Sequence, residues 1–280
     1  MNQKHLWLEQ MSGNEKPLFF ILGPCALQSE EHTLMLAHEL KKLSEKLAFN
    51  LVFKGSFDKA NRISAKSYRS LGIDEGLRIF EKVKATLDLP VVTDIHESWQ
   101  AAHVADVANV LQVPAFLCRQ TDLLLAAGKT GRTVFIKKGQ FVRPEKMGAL
   151  VDKVASTGND RVWLGERGFT MGYEDLVVDP RNFPIMKRFG KPVVIDATHS
   201  VQRPGQLGDS SGGDRHFVPP VAAAAVVQGI AGVFMEVHEE PEKALCDGPN
   251  SVRLSQLPDI LRYLIDLDAW AKQHPVPECV

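Results

Sequence analysis

Eight short apolar runs recur along the chain at intervals that a helix can fill, and they constrain the fold more than any other feature. The runs are FFILGPC, LVFKGS, PVVTDIH, NVLQVPA, TVFIKK, VWLGER, PVVIDATH and GVFMEVH. They are rich in β-branched and aromatic residues and nearly continuous in hydrophobicity, which is typical of parallel strands covered on both faces. Most end in a residue that is too polar for a core: Cys25, Lys54, Asp94, Gln112, Lys137, Arg167, His199 or Glu236.

The segments between the runs carry the signals of helices. Ser29 is expected to cap a helix toward Phe49, and Ser98 to cap a shorter one. Pro144 stands where a first helical turn accepts proline, and Ser251 precedes the last predicted helix. Strand and helix alternate along almost the whole chain, which implies right-handed crossovers and a parallel sheet.

Chain length and the number of units favour a closed barrel over an open doubly wound sheet. A chain of 280 residues suits one barrel of about 250 residues with modest extensions. The predicted fold class is α/β, a (β/α)8 TIM barrel, with residues 19–280 as a single catalytic domain. Residues 1–18 fit neither periodicity and are predicted to form a short N-terminal extension that plugs one end of the barrel.

Charge and composition narrow the possible partners. The formal net charge of −1 argues against general binding to nucleic acid or to an anionic membrane, because both need a basic surplus. No stretch approaches the ~18 apolar residues of a membrane span, and no signal peptide is recognisable. The four cysteines therefore indicate a reducing, cytoplasmic location, with thiols that are free or metal-bound rather than paired.

Basic residues are concentrated at the predicted strand ends, although the whole chain has almost no net charge. They are Lys54, Lys59, Arg62, Lys137, Lys138 and Arg167. A single exposed lysine is usually a solvated surface charge, but the carboxyl ends of barrel strands share one location, where the reaction site lies. A mixture of arginine and lysine there predicts a substrate with several anionic groups.

A second set of candidate residues combines a thiol, an imidazole and two carboxylates. Its members are Cys25, His199, Glu236 and Asp247. Barrel closure brings the first strand beside the eighth, so these residues are expected to become neighbours. A mixed sulfur, nitrogen and oxygen set suits Zn²⁺, Fe²⁺ or Mn²⁺ better than Mg²⁺ or Ca²⁺.

Several of these residues also have other interpretations. Cys25 taken alone fits a small buried hydrophobe, and His199 fits a general base or a phosphate contact. Glu236 shares a strand face with His238, so either side chain can point into the barrel mouth. The remaining cysteines lack an equivalent partner set and are interpreted as structural or incidental: Cys118, Cys246 and Cys279.

Several motifs resemble the 3-deoxy-D-manno-octulosonate 8-phosphate synthase family, in order and in register from Phe20 to about Leu264. They are FKGSFDKANR, LQVPAFLCRQTDLL, GERG, DATHSVQ, SSGG and CDGP. KANR at 59–62 is the most specific, because the related 3-deoxy-D-arabino-heptulosonate 7-phosphate synthases have a KPR-like run there. The resemblance implies a (β/α)8 barrel, usually a homotetramer. It would condense phosphoenolpyruvate with D-arabinose 5-phosphate and water to octulosonate 8-phosphate and inorganic phosphate, a step toward lipopolysaccharide.

The resemblance also implies roles for individual residues. Phosphoenolpyruvate would be held by Lys54, Lys59, Gln112, the backbone near Ala115, Lys137, Arg167 and His199. Arabinose 5-phosphate would be held by Asn61, Arg62, Ser64 and Asp94 of the same subunit. Its phosphate would also be bound by Arg119 of a neighbouring subunit. The implied catalytic residues are Lys54, Asp94, His199, Asp247 and Cys25, with Gln140 helping to order the site. The segments 58–70 and 206–215 would act as lids.

The family contains metal-dependent and metal-independent members, which differ by cysteine or asparagine at the position of Cys25. Cysteine there predicts a divalent Zn, Fe or Mn ion held by Cys25, His199, Glu236 and Asp247, with no organic cofactor. The CDGP run at 246–249 instead resembles the metal-independent branch.

Three other functions stay open at this point. The nearest is a heptulosonate 7-phosphate synthase that uses erythrose 4-phosphate, against which Ala60 and Asn61 of KANR argue. A Schiff-base aldolase could use Lys137 if burial among cations lowered its pKa. A non-catalytic phosphosugar-binding barrel is the third, although simple binding needs neither the thiol nor the paired acids.

Overall fold

Eight parallel strands form a closed barrel in the computed structural model, which describes residues 8, 12–62, 64–173, 175–203 and 212–277. The strands are β1 (Phe19–Gly23), β2 (Asn50–Lys54), β3 (Val91–Asp94), β4 (Val110–Val113), β5 (Thr133–Lys137), β6 (Val162–Glu166), β7 (Val193–Asp196) and β8 (Gly232–His238). Their order in the sheet follows the chain, and β1 pairs with both β2 and β8. The predicted TIM barrel is confirmed, and each of the eight apolar runs coincides closely with one strand.

Helices follow the strands and cover the outside of the barrel. They are α1 (Glu30–Leu47), α2 (Ile73–Leu87), α3 (Gln100–Val107), α4 (Thr121–Lys129), α5 (Met147–Ala155), α6 (Asn182–Lys187), α7 (Val218–Val226) and α8 (Leu257–Gln273). An antiparallel hairpin (Phe169–Met171 with Asp175–Val177) follows β6, and a short helix (Ala197–Ser200) follows β7. Within the described ranges, no helix has the length and apolar character needed to cross a bilayer.

The predicted helix starts are confirmed in part. The Ser29 hydroxyl accepts a hydrogen bond from the His32 backbone N–H at 3.1 Å and caps α1. Ser98 does not cap α3: the N-cap residue is Trp99, and the Ala101 backbone N–H donates to the Ser98 carbonyl rather than to its hydroxyl. Ser251 does not start α8 either, since its hydroxyl donates to the Asp247 carbonyl and closes the preceding turn.

Two apolar layers hold the barrel together. Along β1, Phe20 and Leu22 face the helices, whereas Phe19 and Ile21 face the barrel interior. The interior cluster comprises Leu8, Phe19, Ile21, Val52, Val92, Val110, Phe135, Trp163, Val194, Ala231 and Phe234. These residues fill the barrel interior below the carboxyl ends of the strands. The polar residues at those ends therefore pack against an apolar layer.

The N-terminal extension contributes to that interior. Leu8 is buried in the interior cluster, and the Ser12 hydroxyl accepts a hydrogen bond from the Trp163 indole at 3.2 Å. Ser12 also donates to the Leu8 carbonyl at 2.7 Å. Leu8 and Ser12 thus pack against the barrel interior, while residues 1–7 and 9–11 lie outside the described residues.

Leu8→Ala should destabilise the fold because it opens a cavity beneath the interior cluster. We expect a loss of about 2–4 kcal/mol in the free energy of unfolding, measured by urea denaturation. Leu245→Ala is the control, since Leu245 is 53% exposed and should change stability by no more than about 0.5 kcal/mol. Equal effects of the two variants would contradict a plugging role for Leu8.

Candidate active site

A cavity of about 160 Å³ lies at the carboxyl ends of the strands. Most of the predicted site residues line it: Lys54, Lys59, Asn61, Arg62, Asp94, Gln112, Ala115, Lys137, Gln140, Arg167, His199, Glu236 and Asp247. Cys25 lies beside them, with its Sγ 3.4 Å from Asp247 Oδ2. Residues from all over the chain therefore meet at one polar site.

Three predicted residues lie elsewhere. Ser64 does not line the cavity, and its hydroxyl accepts the Lys66 backbone N–H at 3.3 Å. Arg119 is exposed and also lies outside the cavity lining. Lys138 was wrongly included in the basic group: successive side chains on a strand alternate, so it turns away and lies 3.3 Å from Glu166. Of the predicted lid 206–215, residues 206–211 lie outside the described residues.

Lys54 and Asp94 form a buried ion pair at the ends of β2 and β3. Lys54 Nζ lies 3.7 Å from Asp94 Oδ1 and donates to Ser56 Oγ at 2.7 Å. Burial, reinforced by the charge of Lys59, lowers the pKa of Lys54 to about 8. Burial opposes ionisation of Asp94, but Lys54 and His96 outweigh it and hold its pKa well below the usual range.

Lys137 and Asp196 form the second buried pair, on β5 and β7. Lys137 Nζ donates to Asp196 Oδ2 and lies 3.5 Å from the centroid of the Phe234 ring. Burial lowers the pKa of Lys137 to about 8, although Asp196 opposes the shift. Burial also opposes ionisation of Asp196, but His199 and Lys137 outweigh it and depress its pKa strongly. Both residues are therefore ionised near pH 7.

Asp196 also orients His199. His199 Nδ1 donates to the Asp196 carboxylate at 2.9 Å, which leaves Nε2 directed toward Glu236 at 3.6 Å and Asp247 at 3.7 Å. Burial opposes the imidazolium, but Asp196 and Glu236 outweigh it and raise the pKa of His199. Such a carboxylate–histidine contact is the usual way in which a metal-binding imidazole is held.

Asp196 was missed as a candidate because the run PVVIDATH was interpreted as one strand ending at His199. The strand ends at Asp196, and the next residues form the short helix that turns His199 back over the cavity. Gln202, which also lines the cavity, was not singled out either. The DATHSVQ motif contains both residues and was the signal that could have indicated them.

The environment of Glu236 gives the strongest structural support for a metal site. It is completely buried, and neither carboxylate oxygen has a hydrogen-bond partner among the described residues. A buried carboxylate is costly unless a cation balances it, and neither the Lys59 ammonium at 3.8 Å nor the His199 imidazole at 3.6 Å makes a hydrogen bond to Glu236. The ligand atoms of His199, Glu236 and Asp247 lie within 4.8 Å of one another, and Cys25 adjoins Asp247. His199, Glu236 and Asp247 can therefore offer ligands to one transition-metal ion, and Cys25 is linked to this set through its contact with Asp247.

Cys25 is paired with Cys246 in this structure. The two form a disulfide, with their Cα atoms 6.0 Å apart. The prediction that these thiols are unpaired, and that Cys246 is incidental, is therefore wrong. Barrel closure brings the segment after β8 to the end of β1, and a left-handed backbone at Asp247 (φ 48°) leaves both Cys246 and Asp247 in contact with Cys25. Cys118 is buried and free, and Cys279 lies outside the described residues.

Arg167 provides a cation, and two glutamines provide hydrogen-bond acceptors, for a ligand in the cavity. Arg167 donates to the His199 carbonyl at 2.9 Å and to Gln202 at 3.1 Å, and burial lowers the pKa of its guanidinium. The Oε1 atoms of Gln112 and Gln140 are buried without a partner among the described residues. Such groups remain available to a substrate that enters the cavity.

Comparison with known proteins agrees with this geometry. Residues 2–273 match the DAHP synthetase I family. The chain belongs to this family. A protein from Geobacter sulfurreducens named 2-dehydro-3-deoxyphosphooctonate aldolase is 54% identical over 260 residues, which is 93% of this chain and 96% of the relative. A protein of the same name from Trichlorobacter lovleyi is 55% identical over 257 residues, 92% of this chain and 94% of the relative.

These relatives confirm the resemblance to the octulosonate 8-phosphate synthases within the DAHP synthetase I family. A third relative with that name, from Geotalea daltonii, is 53% identical over 260 residues, 93% of this chain and 96% of the relative. The identity extends over nearly the whole chain in all three. The heptulosonate 7-phosphate alternative is accordingly not favoured.

Anion affinity of this family member should fall as pH rises, since Lys54 and Lys137 lose their protons near pH 8. Between pH 7 and 9 the charged fraction of each drops about tenfold. We expect the affinity for sulfate, whose charge is constant over this range, to be at least about tenfold lower at pH 9 than at pH 7. The measurement is calorimetry at constant ionic strength. Lys137→Arg should reduce the loss, because arginine stays charged. A pH-independent affinity in the wild type would contradict the lowered pKa values.

Proposed function

We propose that this protein condenses phosphoenolpyruvate with D-arabinose 5-phosphate and water. The products are 3-deoxy-D-manno-octulosonate 8-phosphate and inorganic phosphate, a step toward lipopolysaccharide. The observation that carries the proposal is the buried cationic cavity. It occurs in a chain that matches relatives named 2-dehydro-3-deoxyphosphooctonate aldolase over almost their whole length. Because both substrates are multiply charged and do not cross membranes unaided, we place the reaction in the cytoplasm.

Phosphoenolpyruvate is assigned to the cationic residues of the cavity. Its anionic groups would be bound by Lys59, Lys137 and Arg167, which line that cavity. Lys54, Gln112 and His199 lie on the same lining, together with the backbone of Ala115, and would surround the reacting carbons. Low-dielectric surroundings strengthen each of these charge interactions.

Arabinose 5-phosphate is assigned to the mouth beside the segment after β2. Asn61, Arg62 and Asp94 line the cavity there, which supports their assignment to this sugar phosphate. Arg119 is exposed, so a contact from Arg119 would come from a neighbouring subunit. Phe116, three residues earlier, lines the cavity and yet is 53% exposed, which leaves room for that subunit. We therefore propose a homotetramer in which neighbours complete one another's sites.

In the proposed reaction, the methylene carbon of phosphoenolpyruvate forms a bond to the sugar aldehyde carbon. Water adds at the neighbouring carbon, and phosphate leaves when its carbon–oxygen bond breaks. The cations already in place would stabilise the charge that develops on the phosphorylated intermediate. Lys54 has a pKa of about 8, so its ammonium can supply a proton to the oxygen of the former aldehyde.

We also propose a divalent Zn, Fe or Mn ion at Cys25, His199, Glu236 and Asp247, and no organic cofactor. When bound, such an ion supplies a Lewis acid that polarises the aldehyde oxygen. Two observations support this assignment. The Glu236 carboxylate has no hydrogen-bond partner among the described residues, and the Asp196 contact directs His199 Nε2 inward. Asp247 is suited to the role because His199 outweighs the effect of burial and keeps the pKa of its carboxyl low.

Phosphate release from phosphoenolpyruvate should depend on the aldose phosphate. We expect at least about tenfold higher kcat/KM with arabinose 5-phosphate than with erythrose 4-phosphate. Asn61→Ala should lower kcat/KM for arabinose 5-phosphate about tenfold, the effect of one lost hydrogen bond. Ser64→Ala is the matched control and should stay within about twofold, because Ser64 does not line the cavity. Preference for erythrose 4-phosphate would reject the proposed substrate.

Removal of metal from the reduced protein should abolish activity, and Mn²⁺, Fe²⁺ or Zn²⁺ should restore it. Cys25→Asn should weaken metal binding by at least about 100-fold without unfolding the barrel, as judged by metal content and circular dichroism. Cys118→Ser is the control, since Cys118 lies outside the proposed ligand set. Full activity in protein shown to be free of metal would reject the metal proposal.

A further inference from the structure

We propose that His32, His238 and Glu239 form a further metal-binding site, which takes Zn²⁺ and lies apart from the substrate cavity. The site does not rest on the proposed function, since none of the three is among the described residues that line that cavity. It joins the first turn of α1 to the end of β8, where the barrel closes. One ligand atom from each of the three residues lies within 4.8 Å of the other two.

The backbone explains why these side chains meet. Glu236 and His238 share one face of β8, but only Glu236 lines the substrate cavity. His238 is the last residue of the strand and contacts Gln28, in the segment that joins β1 to α1. The pairing of β1 with β8 brings that segment and the end of β8 together. The rings of His32 and His238 therefore lie side by side, with their centroids 4.9 Å apart.

The distances between the ligand atoms match those around a zinc ion. His32 Nε2 lies 3.0 Å from Glu239 Oε2, and His238 Nδ1 lies 3.3 Å from the same oxygen. Zn²⁺ binds nitrogen and oxygen at about 2.0–2.1 Å in tetrahedral geometry, which separates the ligand atoms by about 3.3 Å. Only small adjustments of the three side chains are therefore needed to bind the ion.

The hydrogen bonds of His238 leave two acceptors facing each other. The Glu240 backbone N–H donates to His238 Nδ1 at 3.0 Å, so in the neutral ring the proton is on Nε2. The Gln28 amide lies 3.2 Å from Nε2 and, with its oxygen turned to the ring, accepts from it. His238 Nδ1 and Glu239 Oε2 then lie 3.3 Å apart with no proton between them. A cation between these atoms removes their repulsion.

The ligand set and its exposure suit an exchangeable zinc ion. Two imidazoles and one carboxylate favour Zn²⁺ over Mg²⁺ or Ca²⁺, which prefer oxygen ligands. The side chains of His32 and His238 are 12% and 5% exposed, whereas that of Glu239 is 35% exposed, so the ion enters on the Glu239 side. Water completes the shell there. Glu240 is exposed, so water also takes over its N–H when the metal binds.

The experiment uses full-length, reduced, metal-free protein that carries Cys25→Asn, which weakens the proposed catalytic metal site. We expect equilibrium dialysis to find one Zn²⁺ ion bound per chain. Adding His32→Ala should lower the Zn²⁺ affinity at least about 100-fold, because even residues that only hydrogen-bond a metal ligand contribute about 10- to 100-fold. Adding His38→Ala is the matched control: His38 lies on the same helix, its side chain is 55% exposed, and the affinity should stay within about twofold.

Thermal unfolding gives a second measurement. Zn²⁺ should raise the unfolding midpoint of the Cys25→Asn chain, because an ion that binds only the folded state stabilises it. Adding His238→Ala or Glu239→Gln should remove that increase, and circular dichroism checks that each variant folds. Glu239→Gln keeps the size of the side chain, so it tests the site even if loss of the buried His238 ring prevents folding.

Stoichiometry separates this site from the proposed catalytic metal. The wild type should bind two Zn²⁺ ions, and His32→Ala alone should bind one and keep its activity. Unchanged Zn²⁺ affinity in folded His32→Ala and Glu239→Gln chains, on the Cys25→Asn background, would reject the site. A single ion in the wild type that His32→Ala removes and Cys25→Asn does not would instead support this site and reject the catalytic one.

Discussion

The pairing of β1 with β8 is the constraint on which the site depends. Their register places Gly23 opposite Glu236, so Cys25, just beyond Gly23, reaches the same level as the buried carboxylate. Gly23 also permits close approach to β2, because a Cβ there would lie 1.9 Å from the Lys54 carbonyl oxygen. A shift of one residue in this register would turn Glu236 away from the cavity. Closure thus positions the metal-binding candidates and one lysine together.

Folding already removes the cavity lysines from water, before any substrate binds. Lys54 and Lys137 are fully buried, and both have pKa values lowered to about 8 in spite of a carboxylate partner. One carboxylate per lysine therefore does not fully replace the lost hydration of the ammonium group. A bound anion adds the remaining stabilisation of its charge. Because Asp94 and Asp196 hold these ammonium groups in place, little reorganisation accompanies the reaction. The cationic cavity is preorganised for multiply charged substrates.

The sequence predicted the strands well because a parallel strand buried on both faces is a local pattern. Lys54, Asp94 and Lys137 end their strands as predicted, so their place at the cavity followed from the fold class alone. Asp196 was missed because the strand ends three residues before His199, and only the backbone turn there reveals which group orients the imidazole. Cys246 could not be predicted, since its contact with Cys25 depends on closure of the whole barrel.

The two states of Cys25 follow from one charge balance. A thiolate beside Glu236 and Asp247 would add a third negative charge to a buried region that already holds Lys59 and Arg62, and a divalent cation would lower the cost of that charge. A disulfide removes the sulfur charge and leaves two carboxylates. Lys59 at 3.8 Å from Glu236 and Arg62 at 3.6 Å from Asp247 can then balance these. The partner of Cys25, a metal ion or Cys246, is therefore an electrostatic matter as much as a redox one.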